Sequence, residues 1–197
     1  TDNFTRNIRS VQKQIAEAES QFRLAAAGVE GFEQSAEGLT AQLSTLERRL
    51  TLQQQAVTQY ERALTAANDK LQECFARQGD YAQRLTDARA AQEALRAQVA
   101  AAAQQVRTFS QTLGDSDSAT IAARANLDAL KTEYRASVQE VKKLAGQNTA
   151  LQKSTQSAAD AVSTAGVNLN NARAAVRNTQ AEITRCNQSL ALARTSW

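Results

Sequence analysis

The chain has 197 residues, none of them proline and seven of them glycine, with 5% aromatic residues and a net charge of +3. Without proline there are few places where a helix must stop, and so few aromatics cannot fill a thick globular core. The basic residues are scattered, the densest groups being Glu47-Arg48-Arg49 and Lys142-Lys143, which argues against a nucleic-acid or membrane surface, and no window approaches the roughly 18 apolar residues of a membrane span.

One heptad frame fits from Phe4 to Trp197 without a skip. With Ile8 as an a position, 47 of the 56 a and d positions are apolar, against 42% of the chain as a whole. A 3.5-residue repeat held this long predicts left-handed coiled-coil packing along one seam.

The first predicted element is a helix over about 2–27. The frame places Phe4, Ile8, Val11, Ile15, Phe22, Val29 and Phe32 on one face. Leaving that face wet would cost on the order of 1.5–3 kcal/mol per large side chain. It is therefore the candidate packing face, either for a partner or for a third helix of the chain's own bundle. Gly28, Gly31 and Gly38 mark the break after it, because each glycine costs a helix interior about 1 kcal/mol relative to alanine. The segment either folds back there or pairs with another copy.

The second element is a helix over about 32–112, followed by a turn at 113–118 and a third helix over about 119–197. Gly114 suits the left-handed position after a helix end, and Asp117 or Ser118 suits the cap of the next helix. The two long arms are nearly equal, about 120 Å each at 1.5 Å per residue, as an antiparallel hairpin requires.

Residue size on the seam favours the hairpin over one parallel rod. The a positions are mostly large, while many d positions are alanine, including Ala67, Ala102, Ala165 and Ala172. An antiparallel pair sets a against d and keeps packing density even. The expected register puts Leu71 opposite Ala165, Ala102 opposite Tyr134, Leu43 opposite Ala193, Cys74 opposite Val162 and Cys186 opposite Leu50. In that register the cysteines are too far apart for a disulfide. Alanines at e and g positions, among them Ala56, Ala82, Ala91 and Ala175, widen the apolar stripe and call for a third or fourth helix.

Gln53, Gln78, Gln92, Asn148 and Thr155 interrupt the seam. They read as register determinants, with a ligand or ion site inside the bundle as the sharper alternative. Asn3-Phe4-Thr5 and Asn187-Gln188-Ser189 match the N-glycosylation pattern.

There is no histidine, no phosphate loop, no dinucleotide fingerprint and no clustered metal-ligand spacing. The expectation is therefore an all-α, elongated domain with no catalytic, cofactor-binding or metal residues: a long antiparallel helical hairpin with a shorter N-terminal helix, as a three-helix bundle or helical oligomer. The expected function is a non-catalytic structural or scaffold protein that spaces or self-assembles through helix packing. The alternative is the helical ectodomain of a surface receptor or antigen that presents the turn, or exposed Phe75, to a protein. Expected partners are further copies or another protein, not nucleic acid. The chain starts at Thr1 and lacks methionine, which suggests processing after export or an excerpt, and an extracellular, cell-surface or periplasmic location.

Overall fold

The computed structural model describes residues 2–27 and 29–195. The fold is all-α: helix α1 is Asp2–Ala26, α2 is Ala36–Leu113 and α3 is Ser118–Thr195. A short 3-10 turn, Phe32–Gln34, precedes α2. The long helix expected from about residue 32 thus begins at Ala36. Gly28, part of the predicted first break, lies outside the described residues, as does Trp197 of the heptad frame. Contacts divide the chain into two compact units. The first combines Thr1–Lys70 with Ala159–Trp197 and the second is Leu71–Ala158.

In the second unit the hairpin reverses at Gly114, whose φ of 86° is the left-handed conformation a β-carbon would disfavour. Asp117 caps α3, its Oδ1 accepting the Ala119 backbone N–H at 2.8 Å. The Thr120 hydroxyl, with no exposed surface, donates to the Gly114 carbonyl at 2.8 Å. Asp115 accepts a 2.5 Å hydrogen bond from Ser110 and pairs with Arg124. These bonds tie both helices to the turn. Below it, buried Leu85, Ala102, Leu127, Leu144 and Ala158 all stand on a or d positions.

In the first unit α2 and α3 again run antiparallel. Leu39, Leu46, Cys186 and Leu190 form a buried cluster, flanked by Ala36, Leu43, Ile183 and Ala193. Ala36, Leu43, Ile183 and Leu190 stand there on a positions and Leu39, Leu46, Cys186 and Ala193 on d positions, so large residues occupy both. The register differs from the expected one by about one heptad. Cys186, expected opposite Leu50, lies in the cluster that Leu43 flanks, seven residues earlier, and its thiol donates to the Leu39 carbonyl one turn further on at 3.4 Å. In the second unit Cys74 lies 3.7 Å from the Ser154 hydroxyl instead of facing Val162. A seven-residue slip still sets a against d, so the seam alone does not distinguish the two registers. The turn does: four residues, Gly114 to Asp117, separate the helices, and their midpoint lies nearer α2 than the expected pairing assumed.

Helix α1 packs onto this hairpin from within the same chain. The rings of Phe4 and Tyr60 meet edge-on, with centroids 5.4 Å apart, and Glu19 pairs with Arg49 at 3.2 Å. Numbers rise along α1 as they fall along α2, so the two are antiparallel. Among the described residues nearly every buried side chain is at a or d. Leu52 is an exception, at c. It sits at helical spacing from Gln55 and Gln59, which line a groove together with Asn7, Ser10, Val11 and Gln14 of α1.

The reversal between α1 and α2 explains Gly38. Ser35 caps α2, its Oγ accepting the Gly38 N–H at 3.0 Å and donating to the Phe32 carbonyl at 2.7 Å. That folds the 3-10 turn over the first turn of α2. A β-carbon on Gly38 would stand 1.7 Å from the Phe32 oxygen. Gly38 is therefore required by close approach of two backbones, although it sits inside a helix where glycine is unfavourable.

Candidate functional site

The face proposed from the sequence divides. Ile8 and Val11 are buried, Phe4 meets Tyr60, and Ile15 and Phe22 are half-buried. Val29 is 54% exposed beyond the end of α1. Phe32 belongs to the 3-10 turn, not to the helix face.

The α1 face, α2 and α3 line an open cleft of about 350 Å³ in the first unit. Ile8, Val11 and Ile15 form one wall. Gln53, Ala56 and Tyr60 line it from α2, and Ala172 and Ala175 from α3, with Asn168 and Asn171 beside them. The space follows from the sequence: three alanines stand where the helices converge, and their short side chains do not fill it. The Gln53 Oε1 is buried without a hydrogen-bond partner, an arrangement costing on the order of 1–3 kcal/mol. In the second unit the Asn148 Oδ1 is also buried and unpartnered.

A second junction holds the three helices of the first unit together electrostatically. Arg49 donates through Nε to the Thr179 hydroxyl at 3.1 Å, through Nη1 to Glu19 at 3.2 Å and through Nη2 to Glu182 at 2.5 Å. Its guanidinium fork thereby bonds α1 and α3 from α2. The Arg49 side chain is 20% exposed, and the two carboxylates are more open. Each pair alone is worth about 1 kcal/mol or less; the shared network and the fully buried Thr179 raise that. Sequence reading missed this junction, because Glu47-Arg48-Arg49 looks like ordinary surface charge. The available signal was Arg49 at a g position, beside the seam, with a polar d residue, Thr179, in the facing helix.

The cysteines are free and buried. Burial pushes the Cys186 thiol up from its ordinary value, which favours the unreactive protonated form. At the turn, the Ser110 hydrogen bond and then the Arg124 charge hold the Asp115 carboxyl below the usual range. Asn3 and Asn187, the two glycosylation-pattern asparagines, are exposed on helices.

Among the described residues no three or more His, Cys, Asp or Glu side chains gather as metal ligands, and no helix is long and apolar enough to cross a membrane. Comparison with protein-family models finds no match, and neither do comparisons with curated proteins and with solved structures.

Proposed function

We propose that the chain is a non-catalytic, coiled-coil structural protein that spaces or assembles by helix packing, in a secreted or surface setting. The contrast between its units supports this reading. In the first unit α1 covers the hairpin, so the apolar stripe is largely enclosed. In the second unit only α2 and α3 share the seam, and Ala82, Ala91 and Phe75 stay exposed beside it, Phe75 by 58%. A two-helix seam with apolar e and g flanks favours further helices, and a second copy supplies them.

Multi-angle light scattering over a hundredfold concentration range tests this. The expected result is a molar mass that rises with concentration, reduced by Phe75→Ser. A constant monomer mass overturns it.

A specific observation favours the recognition reading as the alternative. Leu113 and Ile121 are 53% and 56% exposed on either side of the hydrogen-bonded turn. Exposed apolar side chains on an ordered loop lose little entropy on binding, as a protein-recognition tip requires. A constant mass in the scattering experiment points to that function.

A further inference from the structure

We infer that the cleft of the first unit binds a small, mostly apolar molecule carrying one N–H or O–H donor. Its volume, about 350 Å³, is at the lower end of small-molecule sites, and such sites recur between the helices of bundles. Its walls combine apolar side chains with the uncharged polar ones of Gln12, Gln53, Asn168 and Asn171. Ile8, Val11 and Ile15 offer apolar contact, and Ala172 and Ala175 leave the room.

The polar requirement comes from Gln53. Gln53 is one of the residues that line the cleft, and its side-chain oxygen is covered and unpaired. The last torsion of a glutamine is broad, and binding requires that it rotate to present that oxygen to the ligand. A ligand donor then removes the unsatisfied acceptor. An occupant without a donor leaves it in place and binds more weakly. No charged side chain lines the cleft, so the ligand is neutral. Because α1 forms one wall, occupancy also fastens α1 to the hairpin. This site is independent of whether the chain self-assembles.

Indole and indene test the inference, since they share a shape and only indole carries a donor. Binding is read from methyl chemical shifts in the full-length chain. Indole is expected to give saturable shifts confined to Ile8, Val11, Ile15, Ala56, Ala172 and Ala175. Indene should bind at least tenfold more weakly. Gln53→Leu should erase that preference while indene still binds. Ala172→Phe, which fills the cleft, should abolish both; Ala56→Leu serves the same purpose if the first variant misfolds. Shifts that fail to saturate or spread over the surface overturn the proposal. So do equal affinities for the two probes in the native chain, which would leave the cleft as a packing gap.

Discussion

Substituting Gly38 with alanine sets two physical effects against each other. Helix propensity predicts stabilisation, because alanine is better than glycine in a helix by about 1 kcal/mol. The structure predicts the reverse. The new β-carbon would lie 1.7 Å from the Phe32 carbonyl oxygen, where real contacts essentially never fall below 3.0 Å. The obstruction is backbone, so no side chain can rotate away. The 3-10 turn must move by more than an ångström, which breaks the Ser35 cap and the Ser35–Phe32 hydrogen bond. The cap is worth about 1 kcal/mol, the second hydrogen bond about 1, and the lost packing of half-buried Phe32 about 1 more. Less the gain in propensity, Gly38→Ala should destabilise the first unit by about 2 kcal/mol. Gly166→Ala is the control. It lies in α3 of the same unit, and a β-carbon there meets nothing within 4 Å. It should stabilise by up to about 1 kcal/mol. Urea unfolding followed by circular dichroism reads both. Gly38→Ala at or above native stability would refute the close approach.

Other substitutions probe the remaining joins. Arg49→Met should cost about 1–3 kcal/mol in the same unfolding assay. Arg49→Lys should recover less than half, because one ammonium cannot reproduce the fork that reaches Thr179, Glu19 and Glu182; full rescue by lysine would contradict the network. The Asp115 carboxyl titrates lower folded than unfolded. Its contribution is therefore present above the ordinary carboxylate value and lost as pH falls through the folded value. Asp115→Asn should lower stability at neutral pH and converge with the native chain in acid, so a constant difference across pH would count against this. In a Cys74→Ala background, Cys186 should react with a disulfide reagent far more slowly in the folded chain than in urea, since it is buried with a raised pKa. Equal rates would place it at the surface.

The helices and their reversals were legible because their determinants are local. The a and d periodicity, the absence of proline, Gly114 and the capping Asp117 all act within a few residues. The register was not legible, because any shift by seven residues preserves a-against-d packing. Only the length of the turn separates the options, by the seven residues that move the level of Cys186 from Leu50 to Leu43. The Arg49 junction and the cleft depend on three helices meeting, and sequence spacing along one helix does not encode which residues of the others arrive there. The same holds for Gly38. Three nearby glycines signalled a break, but the reason for this one is a backbone contact with Phe32, across the reversal.

Helix α1 turns back onto its own hairpin, and one nuclear Overhauser measurement tests that directly. Phe4 and Tyr60 rings 5.4 Å apart bring edge protons within range of a cross-peak. In a uniformly labelled sample the cross-peak should be present. In an equal mixture of labelled and unlabelled chains, filtered to show only contacts between chains, it should vanish. A Phe4–Tyr60 cross-peak that survives the filter, or none in either sample, would contradict the folded-back helix.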